Sequence, residues 1–181
     1  MAIPDAVRVT VLRRLDRLDR AARTTLMHAS AIGYRFDLDI LVAVARRPEV
    51  RVRSALDGAR ELQLIVADAS ARERYAFRHA LTRDIVYAEF VNTRVRPLHR
   101  RIVGALERAA AQNDVTLSDL AYHAWAAGDP RRGVRYNERA GDDAAAIHAR
   151  DDARTHYARA RSLTSIGSDE YARLSRKLEA V

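Results

Sequence analysis

A mainly helical fold with a single β-hairpin is what this 181-residue sequence predicts, on three observations. Apolar residues recur every three or four positions through the first sixty residues, the stripe of amphipathic helices. One stretch, about residues 64–78, breaks that rhythm with an apolar run, a polar turn and an alternating run. From His79 onward, short helical segments rich in alanine and tyrosine follow one another across short connections.

Leu12, Leu15, Leu18 or Ala22, Leu26 and Ala29 carry the first stripe, and Asp19 splits it by capping a second helix. Ala31-Ile32-Gly33 ends that helix, with Gly33 placed just past its end. Asp37 caps a short apolar helix from Leu38 to Ala45, closed by Arg46-Arg47-Pro48. A fourth helix runs from about Val50 to Gln63, with Val52, Leu56, Ala59 and Leu62 on one side. Leu64-Ile65-Val66-Ala67 and Tyr75-Ala76-Phe77 then flank the polar turn Asp68 to Glu73, the only β signal in the chain. Helices in series followed by a hairpin read as a winged-helix unit.

Later helical segments span about 80–91, 93–111, 117–127, 131–148, 151–165 and 169–180. Breaks fall at Asn92, Gln112-Asn113-Asp114, Gly128-Asp129-Pro130, Arg150 and Ser165-Ile166-Gly167. Thr116, Ser118 or Asp129 supply caps, and Pro130 suits a first helical position. Ala153-x3-Tyr157-x2-Ala160 matches the small–aromatic–small spacing of a tetratricopeptide second helix. The expected organisation is a winged-helix-like domain over 1–92, with its hairpin at about 64–78, and an α-solenoid of tetratricopeptide-like helix pairs over 93–181. Because the last helix stops at Val181 without a neighbour, the array is expected to be truncated.

Composition excludes more than it assigns. With no cysteine there is no disulfide, thiolate metal site or cysteine nucleophile, which fits a cytoplasmic protein. No apolar run reaches 18 residues and the amino end lacks a secretory pattern, so no membrane partner is expected. Thirty-one of the 32 basic residues are arginine and 34 residues are alanine, a bias that points to GC-rich codons rather than guanidinium chemistry. The net charge of +8 lies wholly in residues 1–112, residues 113–181 being neutral, so the two parts are expected to meet different partners.

The seven glycines are scattered and the lone lysine, Lys177, lies in Arg176-Lys177-Leu178 beside none of them, so there is no P-loop. GxGxxG, GxSxG and HExxH are absent, and the six histidines fall at no metal-ligand spacing. The pairs Asp142-Asp143 and Asp151-Asp152 read as solvated or capping carboxylates. No enzyme, catalytic residue, metal or cofactor is expected of this chain.

Phe77-Arg78-His79-Ala80-Leu81-Thr82-Arg83-Asp84-Ile85-Val86-Tyr87 resembles the segment that follows the nucleotide-binding domain in bacterial STAND-type ATPase regulators. Those include large LuxR-type regulators, maltose-activator-like proteins and the similar predicted ATPases attached to adenylate cyclases. Ala29-x-Ala31-Ile32-Gly33-x2-Phe36, Arg96-x2-His99-x2-Ile102, Leu120-Ala121-x-His123 and Ala140-Gly141-x2-Ala144 resemble further family elements in the same order. The likeness covers about residues 5–165, without the P-loop domain upstream or an output domain downstream. It implies a non-catalytic regulatory module of a transcription-regulating signal-transduction ATPase. Such a module couples ADP or ATP on an adjacent P-loop ATPase domain to an inducer or partner protein on the helical array. DNA would be reached through an absent output domain.

The resemblance makes His79 a phosphate-sensing residue toward that adjacent domain, with Arg78 and Arg83 as interdomain contacts. A residue-level alternative has the His79 imidazole bonding the wing backbone and locking helix to hairpin. His99, His123 and Trp125 read as packing residues between helices, Trp125 also as a ligand contact on the array. Two further readings of the whole chain stay open. One is a free-standing winged-helix DNA-binding transcription factor, with Arg51, Arg53, Arg60, Arg72 and Arg74 on phosphates. The other is a tetratricopeptide-type interaction adaptor.

Overall fold

A computed structural model describes residues 5–69, 73–90, 95–110 and 115–181, and packing divides the chain into units of residues 1–98 and 99–181. Arg72 and the breaks placed at Asn92 and 112–114 lie outside the described residues.

The first unit runs α1 (Asp5–Leu15), α2 (Arg20–Ile32), β1 (Arg35–Asp37), α3 (Leu38–Ala45), α4 (Glu49–Glu61), β2 (Ile65–Ala67), β3 (Arg74–Phe77) and α5 (Ala80–Phe90). Asp19 caps α2, its Oδ1 accepting from the Ala22 N–H at 2.7 Å. Gly33 follows α2 as expected, its N–H donating to the Ala29 carbonyl, but its backbone is extended, so the left-handed freedom of glycine is not used there.

The left-handed conformation falls instead on Arg46, with φ 54°, where α3 closes on a bond from the Arg46 N–H to the Val42 carbonyl. A side chain bearing a Cβ is strained in that region. Arg46 is exposed, so Arg46→Gly is expected to stabilise the first unit by about 0.5–1 kcal/mol, read as a higher urea midpoint at unchanged slope.

The hairpin of the sequence reading is part of a three-stranded sheet ordered β1-β3-β2, with β3 antiparallel to both neighbours. At three residues, β1 is too short for alternation to reveal it. Its pairing also corrects the expected role of Asp37. That residue stands at the start of α3, but its side chain makes no capping bond. Register places Asp37 opposite Arg74, and the guanidinium takes both carboxylate oxygens at 2.6 and 3.2 Å, displacing the weaker backbone donors. Leu15, Leu26, Leu41, Leu56, Phe77 and Ile85 form the buried centre shared by helices and sheet.

The second unit takes in α6 (Val95–Ala109) from His99 onward, α7 (Leu117–Ala126), α8 (Pro130–Ala146), α9 (Arg150–Arg161) and α10 (Asp169–Glu179). Thr116, not Ser118, caps α7 in a reciprocal box with Asp119. Asp129 caps α8 with Pro130 first in the helix, and Ser168 caps α10. From α7 to α10 each helix packs on the next, and α7 also reaches α9. Ala153, Tyr157 and Ala160 are all buried, with Val134 and Leu174, in the core of these helices. No described helix is long and apolar enough to cross a membrane.

Candidate functional site

The junction between β3 and α5 carries the residues singled out by the sequence, and its backbone is clamped from both sides. The Phe77 N–H donates to the Tyr34 carbonyl beside β1, and the Arg78 N–H donates to the Leu64 carbonyl beside β2, each at 3.0 Å. Phe77 is fully buried, so the chain is anchored immediately before it turns into α5. The His79 carbonyl then accepts from the N–H groups of Thr82 and Arg83, opening the helix.

Arg78 and His79 consequently leave the sheet side by side with exposed side chains. Among the described residues neither takes part in a side-chain ion pair. Their exposure just before the first turn of α5 adds the partial positive charge of a helix N-terminus to the Arg78 guanidinium, a setting that favours an anion.

Arg83 is held elsewhere. Its Nε donates to the Ser30 carbonyl of α2 at 2.8 Å, its Nη1 meets Asp84 at 3.1 Å, and its guanidinium lies 4.8 Å from the Tyr87 ring centre. It ties α5 to α2 rather than projecting beside His79. The i, i+4 spacing of His79 and Arg83 suggests a shared face, but the spacing carries no trace of a carbonyl 53 residues away.

The arginines of the DNA-binding alternative are distributed unevenly. Arg74 is bound by Asp37, with both side chains 17% exposed. Arg53 bridges Glu49 at 2.7 Å and Glu73, and those two bonds, the one to Glu73 foremost, push its pKa upward. Arg60 faces Asp57 at 3.5 Å. Arg51 is exposed with no ion pair among the described residues. Charge on α4 is balanced, three arginines against Glu49, Asp57 and Glu61.

Buried polar groups organise the second unit. His99 and His123 meet through their Nδ1 atoms at 2.8 Å, one donating and one accepting, with Tyr122 edge-on to both rings. Asn137 links α7, α8 and α9: its amide donates to the Ala121 and Gly133 carbonyls, and its Oδ1 lies 3.1 Å from His156 Nδ1. Glu107 accepts from Arg132 at 3.0 Å and from the Tyr136 hydroxyl at 2.6 Å, joining α6 to α8. Burial first, and then the bond to Glu107, holds the Tyr136 hydroxyl above its usual pKa.

Two surface features of this unit bring charged and aromatic or apolar side chains together. Arg159 lies over Tyr122 and Trp125, at 5.5 and 5.1 Å, while the Trp125 indole donates to Ser162. A cleft of about 530 Å³ has Val134 and Leu163 in its wall, with Arg131, Arg135 and Arg173 set against Glu138 and Glu170. The sequence reading singled out Trp125 but not this cleft, because its members come from α8, α10 and the connection after α9, with no shared motif. Among the described residues no group of three side chains is placed to hold a metal ion. No family model, curated protein or solved structure matches the chain.

Proposed function

We propose that this chain is a non-catalytic regulatory and interaction module of a STAND-type regulator. It couples the nucleotide state of an adjacent P-loop ATPase domain to a partner or inducer. The observation that carries this reading is the paired exposure of Arg78 and His79 at the start of α5, on a backbone fixed by β1 and β2. A rigidly mounted guanidinium and imidazole can report whether a phosphate is present on a neighbouring surface. Exchange of the nucleotide then biases docking because the two nucleotide states differ in contact energy.

The chain order helix, strand, two helices and hairpin, with β1 against β3, supports a winged helix for the first unit. The pairs α7–α8 and α9–α10, with α7 against α9 and small residues around Tyr157, support a tetratricopeptide-like array for the second. Intramolecular pairing of Arg53 and Arg74 weighs against the DNA-binding alternative, because both cations are already neutralised.

The test is ADP release from the regulator that carries this segment. His79→Ala is expected to speed release by about tenfold, the lower range of allosteric coupling, and to raise basal output. An unchanged release rate overturns the sensing role. Salt-sensitive, site-selective binding of duplex DNA by the chain alone would replace this reading with the transcription-factor one.

A further inference from the structure

Where the C-terminal parts of α7 and α9 meet, the second unit carries a site that gives a chemistry to the partner side of the proposed module, and its biological setting rests on that reading. Tyr122 and Trp125 stand one turn apart on α7, with ring centres 6.2 Å from one another. Arg159 of α9 lays its guanidinium over both, at 5.5 and 5.1 Å. Ser162 fixes the arrangement. Its hydroxyl accepts from the Trp125 indole N–H at 3.1 Å and donates to the Arg159 carbonyl at 2.7 Å, so one oxygen ties the ring to the backbone that carries the cation.

Arg159 differs from its neighbours in what it lacks. It is half-buried, yet among the described residues its side chain makes no hydrogen bond and no ion pair. Arg132 and Arg161, equally half-buried, bond Glu107 and Ser175. Arg139 and Arg154 lack such partners too but are exposed, where water supplies them. A ring face attracts the charge but offers no lone pair to an N–H, so the donors of Arg159 stay open to an acceptor. Partial burial weakens solvent screening there, which favours an anionic acceptor over water.

We propose that Arg159 takes a carboxylate from an extended segment of a partner protein, with an apolar neighbour of that carboxylate set against Trp125, which is 37% exposed. A carboxylate fits the planar guanidinium fork with two parallel bonds. Ring and cation are positioned beforehand, so little freedom is lost on binding. A polyanion such as nucleic acid does not suit the site. Residues 113–181 are neutral overall, and Asp151 and Asp152 stand exposed at the start of the same helix. One open cation matches one carboxylate.

His156, one turn before Arg159 on α9, is a reporter of occupancy. Burial first, and then the charge of Arg159, lowers its pKa, against the pull of Asp152. An anion on Arg159 cancels part of that charge, so His156 titrates at higher pH when the site is filled.

The test titrates the chain alone with the acetylated, amidated tripeptide Leu-Glu-Leu and with Leu-Gln-Leu, following Trp125, the only tryptophan, by fluorescence. The glutamate peptide is expected to bind with a dissociation constant of about 1 mM, about tenfold tighter than its glutamine counterpart. Saturating glutamate peptide is expected to raise the His156 midpoint in an NMR titration, and the glutamine peptide to leave it in place. Neither result depends on a variant folding. Arg159→Gln is expected to equalise the two peptides, and Arg159→Lys to keep part of the preference, a point charge without the fork. Equal affinities in the wild type overturn the proposal, as does a His156 midpoint indifferent to the glutamate peptide. So does an absent fluorescence response up to about 10 mM, or inorganic phosphate bound as tightly as the peptide. ADP release from the whole regulator plays no part in these measurements, so an unchanged rate there counts against the sensing role alone.

Discussion

Gly141→Val is expected to destabilise the second unit by about 3 kcal/mol, the upper range for overpacking a filled core. Gly141 lies in the interior of α8, where every residue but proline has better helix propensity, so local preference alone argues against a glycine. Packing requires it. A Cβ built there falls 2.5 Å from Tyr157 Cε1 and 2.6 Å from Cδ1, closer than Cβ atoms approach a neighbour, and 3.0 Å from Cζ. The ring cannot retreat. Tyr157 is 3% exposed, its hydroxyl donates to Asp142 at 2.8 Å, and Lys177 Nζ lies 5.6 Å from the ring centre.

Burial, reinforced by the Asp142 carboxylate, pushes the Tyr157 hydroxyl up to about 12, so it remains a donor throughout the physiological range. Trp125 is the only tryptophan and lies in the second unit, so its fluorescence follows this unfolding directly. A lowered urea midpoint is expected for Gly141→Val. Partial relief is expected in Gly141→Val with Tyr157→Ala, because removing the ring removes the clash. A cost below about 0.5 kcal/mol would contradict the close approach.

What was legible in the sequence was local. The end of α3 follows from Pro48 beyond an apolar run, and the starts of α7 and α8 from Thr116, Asp129 and Pro130, signals that lie within a turn of their effect. Segments from His79 onward lie close to α5 through α10 for the same reason. What was not legible depends on partners far along the chain. β1 exists because β3 arrives 37 residues later, and the same arrival draws Asp37 away from capping. At the candidate site, adjacency placed Arg78 and His79 together from sequence, and the backbone bonds to Tyr34 and Leu64 explain why they stay exposed. Arg83 left them for Ser30 through a bond that no local pattern encodes.

Asn137→Leu is the second large effect, an expected loss of about 2–4 kcal/mol from the second unit. Asn137 is fully buried and uses both ends of its amide. Two carbonyls, Ala121 at 2.7 Å and Gly133 at 2.9 Å, require the NH2 to face them, so Oδ1 must face His156. Oδ1 only accepts, which fixes the proton of His156 on Nδ1. Leucine fills the same volume but leaves the Ala121 carbonyl and the His156 N–H buried without their partner, and that desolvation dominates the cost.

The same geometry gives the unit a pH dependence. Burial, and after it the charge of Arg159, holds the His156 pKa below its ordinary 6.5, so the imidazole is neutral in the fold. The unfolded chain binds the proton first as pH falls. The contribution of His156 is therefore complete above 6.5 and shrinks as pH drops from there toward the depressed folded value. Below that value it levels off. Glutamine at 156 can still donate to Asn137 and cannot titrate, so His156→Gln is expected to flatten the urea midpoint between about pH 7 and pH 5, by at most about 1.4 kcal/mol per pH unit. Comparing the two proteins cancels the other buried histidines. Parallel profiles would show that His156 keeps the same proton affinity folded and unfolded, and that the amide of Asn137 acts through packing alone.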